Sequence, residues 1–355
     1  MALTDPSTPV RPGEELDATL IDPYLKSQIP GLSGAMQISQ FPGGASNLTY
    51  LLKYPDQEFV LRRPPFGHKA KSAHDMGREF RILNQLRDAF PYCPKAYVHC
   101  TDESVIGAEF YVMERVKGII LRAELPAELN FDAGQTEALC KGFIDKLVDL
   151  HQVDYNACGL GDLGKPQGYV ERQIRGWSER YEKARTPDAP SWERVARWLD
   201  EKQPADPPTA SLVHNDYRFD NVILDPKNPM RIIGVLDWEL TTLGDPLMDL
   251  GNSLAYWIQA DDPAPVQLMR RQPSHAPGML TREQFVAYYA ERSGVAIDNF
   301  DFYYAYGLFR LAGIVQQIYY RFFHGQTQDK RFAQFIHMNQ LLEHMALQLI
   351  DRSSL

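Results

Sequence analysis

The chain has 355 residues, enough for two lobes or two ordinary domains, and its 37 Lys and Arg against 46 Asp and Glu leave a net charge of −9. No basic block or arm stands out, which argues against nucleic acid or an anionic membrane as a partner. Cys93, Cys100, Cys140 and Cys158 show neither paired spacing nor histidines at zinc intervals, so reduced thiols in a cytoplasmic protein are expected.

Residues 1–12 read as a disordered tail, and the polar, Pro-broken start has no apolar stretch of the kind a signal peptide or anchor needs. Asp22-Pro23 reads as a helix start, with Gly31 closing a short packing helix. A stranded pattern begins at Met36 and turns at Pro42-Gly43-Gly44-Ala45-Ser46-Asn47. Most often such a turn only closes a hairpin, but its glycines would also let backbone N–H groups approach a phosphate. Residues 58–63 form the next strand, and Met76, Phe80, Leu83 and Leu86 give residues 75–87 one helical stripe, bordered by Glu79. Strands near 95–100 and 108–113 complete a five-stranded antiparallel sheet. Beyond Met113 the pattern is helical: 135–151, 169–184, 192–201, 281–292, roughly 299–323, and 332–349. The Pro-rich stretch 261–280 is a long loop of the kind that is usually functional or disordered. The aromatic-dense segment 302–335 reads mostly as core, and its charges are Arg310, Arg321, Lys330 and Arg331 against Asp329.

Between the helical stretches lies a β-hairpin signal, with apolar runs at Val222–Leu224 and Ile232–Leu236 joined by a Pro/Asn/Lys turn. Asp216 precedes it, Asn221 opens it and Asp237 ends it. Singly, such residues usually cap helices or close turns. Together they could hold a hard cation such as Mg²⁺, which is satisfied by one or two carboxylates plus substrate phosphates. The order His214-x-Asp216, then Asn221, then a strand and Asp237, is that of a phosphoryl-transfer loop: base, first metal ligand, second metal ligand.

In these residues the sequence resembles the aminoglycoside phosphotransferase and choline-kinase-like family. That family's pattern HGDxxxxN…IDWE stands here as HNDYRFDN…LDWE, with Asn215 replacing Gly. The resemblance implies an α+β, protein-kinase-like two-lobe fold. Its N-lobe, 13–117, would hold the five-stranded sheet, and its C-lobe, 118–355, would be mostly helical with the catalytic hairpin. It also implies ATP and Mg²⁺ as cofactors, with Asp216 as base or aligner, Arg218 on the γ-phosphoryl, and Asn221 and Asp237 on the metal. Nucleotide contacts are expected from Gly43, Gly44 and Ser46, from the backbone at Glu114 and Val116, and from Arg62 paired with Glu79. Arg62 stands where kinases carry Lys, retaining charge with a different geometry; Arg63 is the alternative, on the opposite face by strand alternation. His214 is expected to be a structural hydrogen-bonder. In the GDPLMDL stretch, Asp245 would cap a helix and Asp249 would tie the catalytic loop. No long activation segment follows Asp237, which favours a small-molecule hydroxyl acceptor over a peptide.

The aromatic, net basic C-terminal stretch disfavours a polycationic aminoglycoside. FPGGASNLTYLL, FVLRRPP and HNDYRFDNVILD resemble the kinase-like domains fused to acyl-CoA dehydrogenases, which implies a hydroxyacyl-CoA acceptor. Two other classes compete. A nucleotide-binding pseudokinase would serve as an interaction module, a reading that the missing Lys supports. A hydrolase would need a G-x-S-x-G elbow, which the chain lacks.

Overall fold

Short runs of β-branched and aromatic residues open the chain, and amphipathic helices close it. The computed structural model describes residues 6–42, 47–66 and 75–355. In chain order the elements are α1 (Ala18–Gln28), β1 (Gln37–Gln40), β2 (Leu48–Lys53), β3 (Glu58–Arg63), α2 (Met76–Leu86), β4 (Ala96–Cys100) and β5 (Phe110–Glu114). Then come α3 (Ala133–His151), α4 (Tyr169–Ala184), α5 (Glu193–Glu201), β6 (Ser211–Val213), β7 (Val222–Leu224), β8 (Ile232–Val235) and β9 (Thr242–Gly244). Five helices finish the chain: α6 (Pro246–Ala255), α7 (Ala264–Gln267), α8 (Arg282–Ser293), α9 (Asp301–Phe323) and α10 (Phe335–Arg352). No helix among the described residues is long and apolar enough to cross a membrane.

The chain divides into a sheet unit, Met1–Ile120 with Asn156–Leu160 and Asn221–Glu239, and a helical unit made of the rest. In the sheet unit the strand order is β1-β2-β3-β5-β4, all antiparallel. Alternation along β3 decides its faces. Phe59 and Leu61 join Tyr50, Leu52, Phe110 and Val112 in a core that Ile21 and Leu25 of α1 cover. Each such side chain contributes roughly 1.5–3 kcal/mol by leaving water. On the other face, Ile82, Leu83 and Leu86 of α2 are buried. The expected start of α1 is wrong by five residues. Asp17, not Asp22, caps it by accepting from Thr19 N–H at 2.8 Å, and Pro23 sits inside the helix. Burial of Ile21 and Leu25 on either side of Pro23 offsets the one backbone bond that Pro removes. The stretch expected to be a disordered tail is fastened to β1 from Thr8 on: Thr8 and Gln40 exchange backbone hydrogen bonds of 2.8 Å.

Within the sheet unit, backbone bonds tie the β7–β8 hairpin to the chain around Tyr92 and Ile119. Ile119 and Leu224 pair at 2.8 and 2.9 Å, and Val235 N–H donates to Tyr92 O at 2.8 Å. Gly118 makes that approach possible, since a Cβ there would stand 2.3 Å from Leu224 O.

In the helical unit, α9 is the central element and packs against α4, α5, α6 and α10. The α6–α9 crossing is close because Gly307 faces Gly251; a Cβ on Gly307 would lie 2.1 Å from Gly251 O. As the aromatic density implies, Phe302, Tyr303, Tyr306, Phe309 and Tyr319 are buried. The loop over 261–280 is neither structureless nor detached. It contains α7, buries Gln272 and Ser274, and returns a hydrogen bond from Ser274 O–H to Ile258 O at 2.7 Å.

Candidate active site

In the sheet unit the candidate residues gather around one guanidinium. Alternation turns Arg62 away from the α1 core and toward Glu79, which α2 presents from its first turn after the Asp75 cap. Arg62 Nη1 donates to Glu79 Oε1. Nη1 and Nη2 each lie 3.2 Å from Asp237 Oδ1, and Nη2 is 3.3 Å from Glu239 Oε2. Asn47, which follows the Gly-rich stretch in sequence, donates its Nδ2 to the same Glu239 oxygen at 2.9 Å. Burial alone would weaken the Arg62 charge, but Glu79 and the carboxylates around it hold the guanidinium protonated well above its usual range. Arg63 takes the opposite face, donating to Ile106 O at 3.0 Å and stacking on Phe66.

Three carboxylates against one guanidinium leave this cluster with a formal excess of −2. That charge suits a divalent cation. Asn221 and Asp237 are coupled through the hairpin, because Leu236 N–H donates to Asn221 O at 2.8 Å. Asp237 holds a left-handed backbone, φ 67°, which ends β8 and aims its side chain sharply off the strand line. Among the described residues no three His, Cys, Asp or Glu side chains form a metal cage of their own. Asn221 and Asp237 could supply two donors to a hard cation, which would leave the rest of its shell to other oxygens.

The helical unit carries the loop with His214, Asn215, Asp216 and Arg218. Asp249, on α6, accepts the N–H groups of His214 and Asn215, each at 2.7 Å. Burial works against its charge, yet His151, with Nε2 3.1 Å away, and the loop N–H groups keep this carboxyl below the usual range. Tyr289 O–H stands 2.7 Å from His151 Nδ1, which braces the imidazole from α8. Asp245 caps α6, accepting from Leu247 N–H at 2.8 Å. His214 Nδ1 accepts the Asp216 N–H at 3.2 Å, a structural role.

Asn215 adopts φ 65°, a left-handed conformation that Asn tolerates better than most residues. Its side chain uses the position: Nδ2 donates to Leu240 O at 3.0 Å, and Oδ1 accepts from Asn252 at 3.1 Å and Tyr169 at 3.3 Å. Its carbonyl accepts from Arg310 Nη2 at 2.8 Å. Asp216 is thus delivered on a backbone bonded on every side. The Asp216 carboxylate meets Arg218, with Nε 3.1 Å from Oδ1 and Nη2 3.2 Å from Oδ2. Arg218 also lies 3.4 Å from Asp220 and stacks 4.4 Å over Tyr256. From the loop at 261–280, Gln272 Oε1 accepts Phe219 N–H at 3.0 Å, so that stretch is a strut for the loop.

The structure therefore brings together Arg62, Glu79 and Asp237 in one unit, and Asp216 and Arg218 in the other. Glu114 ends β5, donating its N–H to Lys95 O at 2.8 Å, and Val116 follows it against Gly234. Gly43, Gly44 and Ser46 lie outside the described residues, as do His68, Lys69 and Lys71. Sequence reading missed Glu239, Asn47, Asp220, Tyr256 and Arg310. Glu239 had a signal, since it closes the Asp-Trp-Glu triplet. Asp220 lies inside the same loop, two residues from Arg218, whereas Asn47, Tyr256 and Arg310 join the site by contacts distant in sequence, which spacing does not encode.

The profile of the phosphotransferase enzyme family matches residues 37–285. Acyl-CoA dehydrogenase family member 10 of Mus musculus is 36% identical over 324 residues. That alignment covers 90% of this chain but only 30% of the relative, so the chain spans less than a third of its length. A crystal structure of a candidate aminoglycoside phosphotransferase from Ralstonia eutropha JMP134 is 30% identical with a TM-score of 0.81, covering 96% of this chain and all of that one. A choline kinase from Cryptosporidium parvum Iowa II, 12% identical with a TM-score of 0.63 over 94% of this chain and 96% of its own, shares the fold. On the family profile and on these folds, the chain is a kinase-like member of the phosphotransferase enzyme family.

Proposed function

We propose that the chain transfers the γ-phosphoryl group of ATP to a hydroxyl of a small molecule, and that this acceptor is a hydroxyacyl-CoA. The observation that carries the reading is the Arg62–Glu79–Asp237–Glu239 cluster, whose −2 excess suits the divalent cation that would accompany a nucleotide. Asn221 and Asp237 would hold the Mg²⁺, which when bound neutralises charge on the phosphates. Arg62, fixed by Glu79, is the cation for the phosphate chain. Gly43, Gly44, Ser46 and the backbone at Glu114 and Val116 are the proposed nucleotide contacts. Asp216 orients the acceptor hydroxyl and takes its proton as the new O–P bond forms and the bond from Pγ to the bridging oxygen breaks, releasing ADP. Arg218, already on Asp216, faces the charge that develops on the transferred group. Catalysis of this kind is positioning and charge stabilisation, which a loop bonded as tightly as 214–216 supplies.

The acyl-CoA part of the reading draws on the name of the mouse relative and on charge. The segment 302–335, with Arg310, Arg321, Lys330 and Arg331 against Asp329, is aromatic and net basic, which disfavours a polycationic aminoglycoside. The test is ADP release over a panel of hydroxyacyl-CoA thioesters, simple alcohols and aminoglycosides, with Asp216→Asn as control. Turnover with aminoglycosides and none with thioesters reverses the acceptor. Nucleotide binding without transfer to any acceptor would leave the pseudokinase reading, which Arg62 in the place of Lys favours.

A further inference from the structure

Both terminal nitrogens of Arg62 are engaged, Nη1 by Glu79 and Asp237, Nη2 by Asp237 and Glu239. A phosphate oxygen can bond this guanidinium only by replacing one of those acceptors. The three are unequal. Glu79 closes the inner side, its side chain 2% exposed, whereas Asp237 and Glu239, at 33% and 19%, lie toward solvent. Glu239 makes the longest contact, 3.3 Å, beyond the roughly 2.7–2.9 Å of a tight charge-assisted bond. Its Oε2 has a second and shorter bond, from Asn47 Nδ2 at 2.9 Å. Asn47 is buried at the head of β2, whose register sets Thr49 opposite Arg62, so this donor stays beside the guanidinium. Glu239 can therefore give up Nη2 and keep Asn47. The charge balance sets when that exchange is favourable. A metal-free polyphosphate adds negative charge to a cluster already at −2, while a metal-bound one brings a cation that Asn221 and Asp237 could hold.

We infer that Glu239 is a specificity-determining residue, which competes with phosphate for Arg62 Nη2 and so selects metal-bound nucleotide against metal-free nucleotide. The inference rests on the nucleotide-binding part of the reading above and concerns only which form of the nucleotide is accepted. Selectivity of this kind comes from a repulsive group aimed at the wrong ligand. The sign is diagnostic. A Glu239 that served only to tether Asn47 or to hold the metal would weaken nucleotide binding when removed, whereas a competitor strengthens metal-free binding when removed.

The test is calorimetric titration with ADP, once in Mg²⁺ and once in excess EDTA. Glu239→Gln keeps an acceptor for Asn47 and loses the charge. In that variant metal-free ADP should bind about five- to tenfold tighter than in wild type, and the gain that Mg²⁺ brings should shrink accordingly. Metal-free affinity that is unchanged or weaker overturns the inference and leaves phosphotransfer intact. Should Glu239→Gln not fold, Asn47→Ala decides with the opposite sign. The shared oxygen then loses its competing donor to the benefit of Arg62, and the gain from Mg²⁺ should widen about threefold. A gain that stays equal or shrinks overturns the inference. If wild type binds ADP in neither buffer, the phosphotransfer reading fails by itself, and pyrophosphate in EDTA decides Glu239. Binding to Glu239→Gln about fivefold or more tighter than to wild type supports the competition, and equal or absent binding to both ends it.

Discussion

Both terminal nitrogens of Arg62 converge on one oxygen of Asp237, Oδ1, at 3.2 Å each. A strand residue and a hairpin residue are thereby locked 175 positions apart in sequence, with Glu79 behind the guanidinium as its buried counter-ion. Removing the cation alone should be severe, because it strands Glu79. Arg62→Met is expected to lose ~3–5 kcal/mol of stability. The double variant Arg62→Met/Glu79→Leu should recover most of that loss, since no charge is then buried unpaired. Urea unfolding midpoints at constant slope measure both, and equal losses in the single and double variants would contradict the account.

Asp216→Asn keeps shape and loses basicity. Turnover should drop by ~10²–10⁴ while nucleotide affinity stays within about threefold. Initial rates and calorimetric titration separate the two, and turnover that survives the change removes Asp216 as base.

Position 215 should rank Asn above Gly above Ala. Gly accepts φ 65° freely but gives up the bonds to Leu240, Asn252 and Tyr169, at about 1–2 kcal/mol. Ala loses the same bonds and adds roughly 1–2 kcal/mol of left-handed strain. Chemical denaturation of the three proteins sets the order, and Gly at or above Asn would show the side-chain bonds to be idle.

Asp245 gives a pH signature. Burial pushes its carboxyl up to about 6, above the ordinary 3.8. The folded protein therefore binds the proton more tightly than the unfolded chain between those values. Its contribution to stability is greatest below pH ~4 and falls by about 3 kcal/mol as pH rises to ~6. Asp245→Asn keeps an acceptor for Leu247 N–H and should flatten that slope in a series of unfolding curves. A slope that persists in the variant assigns it to other groups.

Much of the architecture was legible because it is local. The helix expected over 169–184 is α4 at its observed bounds, and strand alternation alone sends Arg62 and Arg63 to opposite faces. What spacing could not supply was partnership. Periodicity leaves Glu79 at the border of a stripe, and only the tertiary position of Arg62 makes it a buried counter-ion. Asn47 and Glu239, 192 residues apart, carry no mutual signal in the chain. At α1 the Asp-Pro pair mimicked a cap, and two buried aliphatic side chains overrode it.

The β6–β9 ladder bears on control. It pairs Ser211–Val213, the three residues before His214, with Thr242–Gly244, just ahead of α6. The run after Asp237 is thus clasped within a few residues, whereas switchable kinases keep a long strand of chain there to be ordered or released by a covalent mark. Among the described residues between Asp237 and α6, backbone pairing leaves no long free segment for such a mark to order.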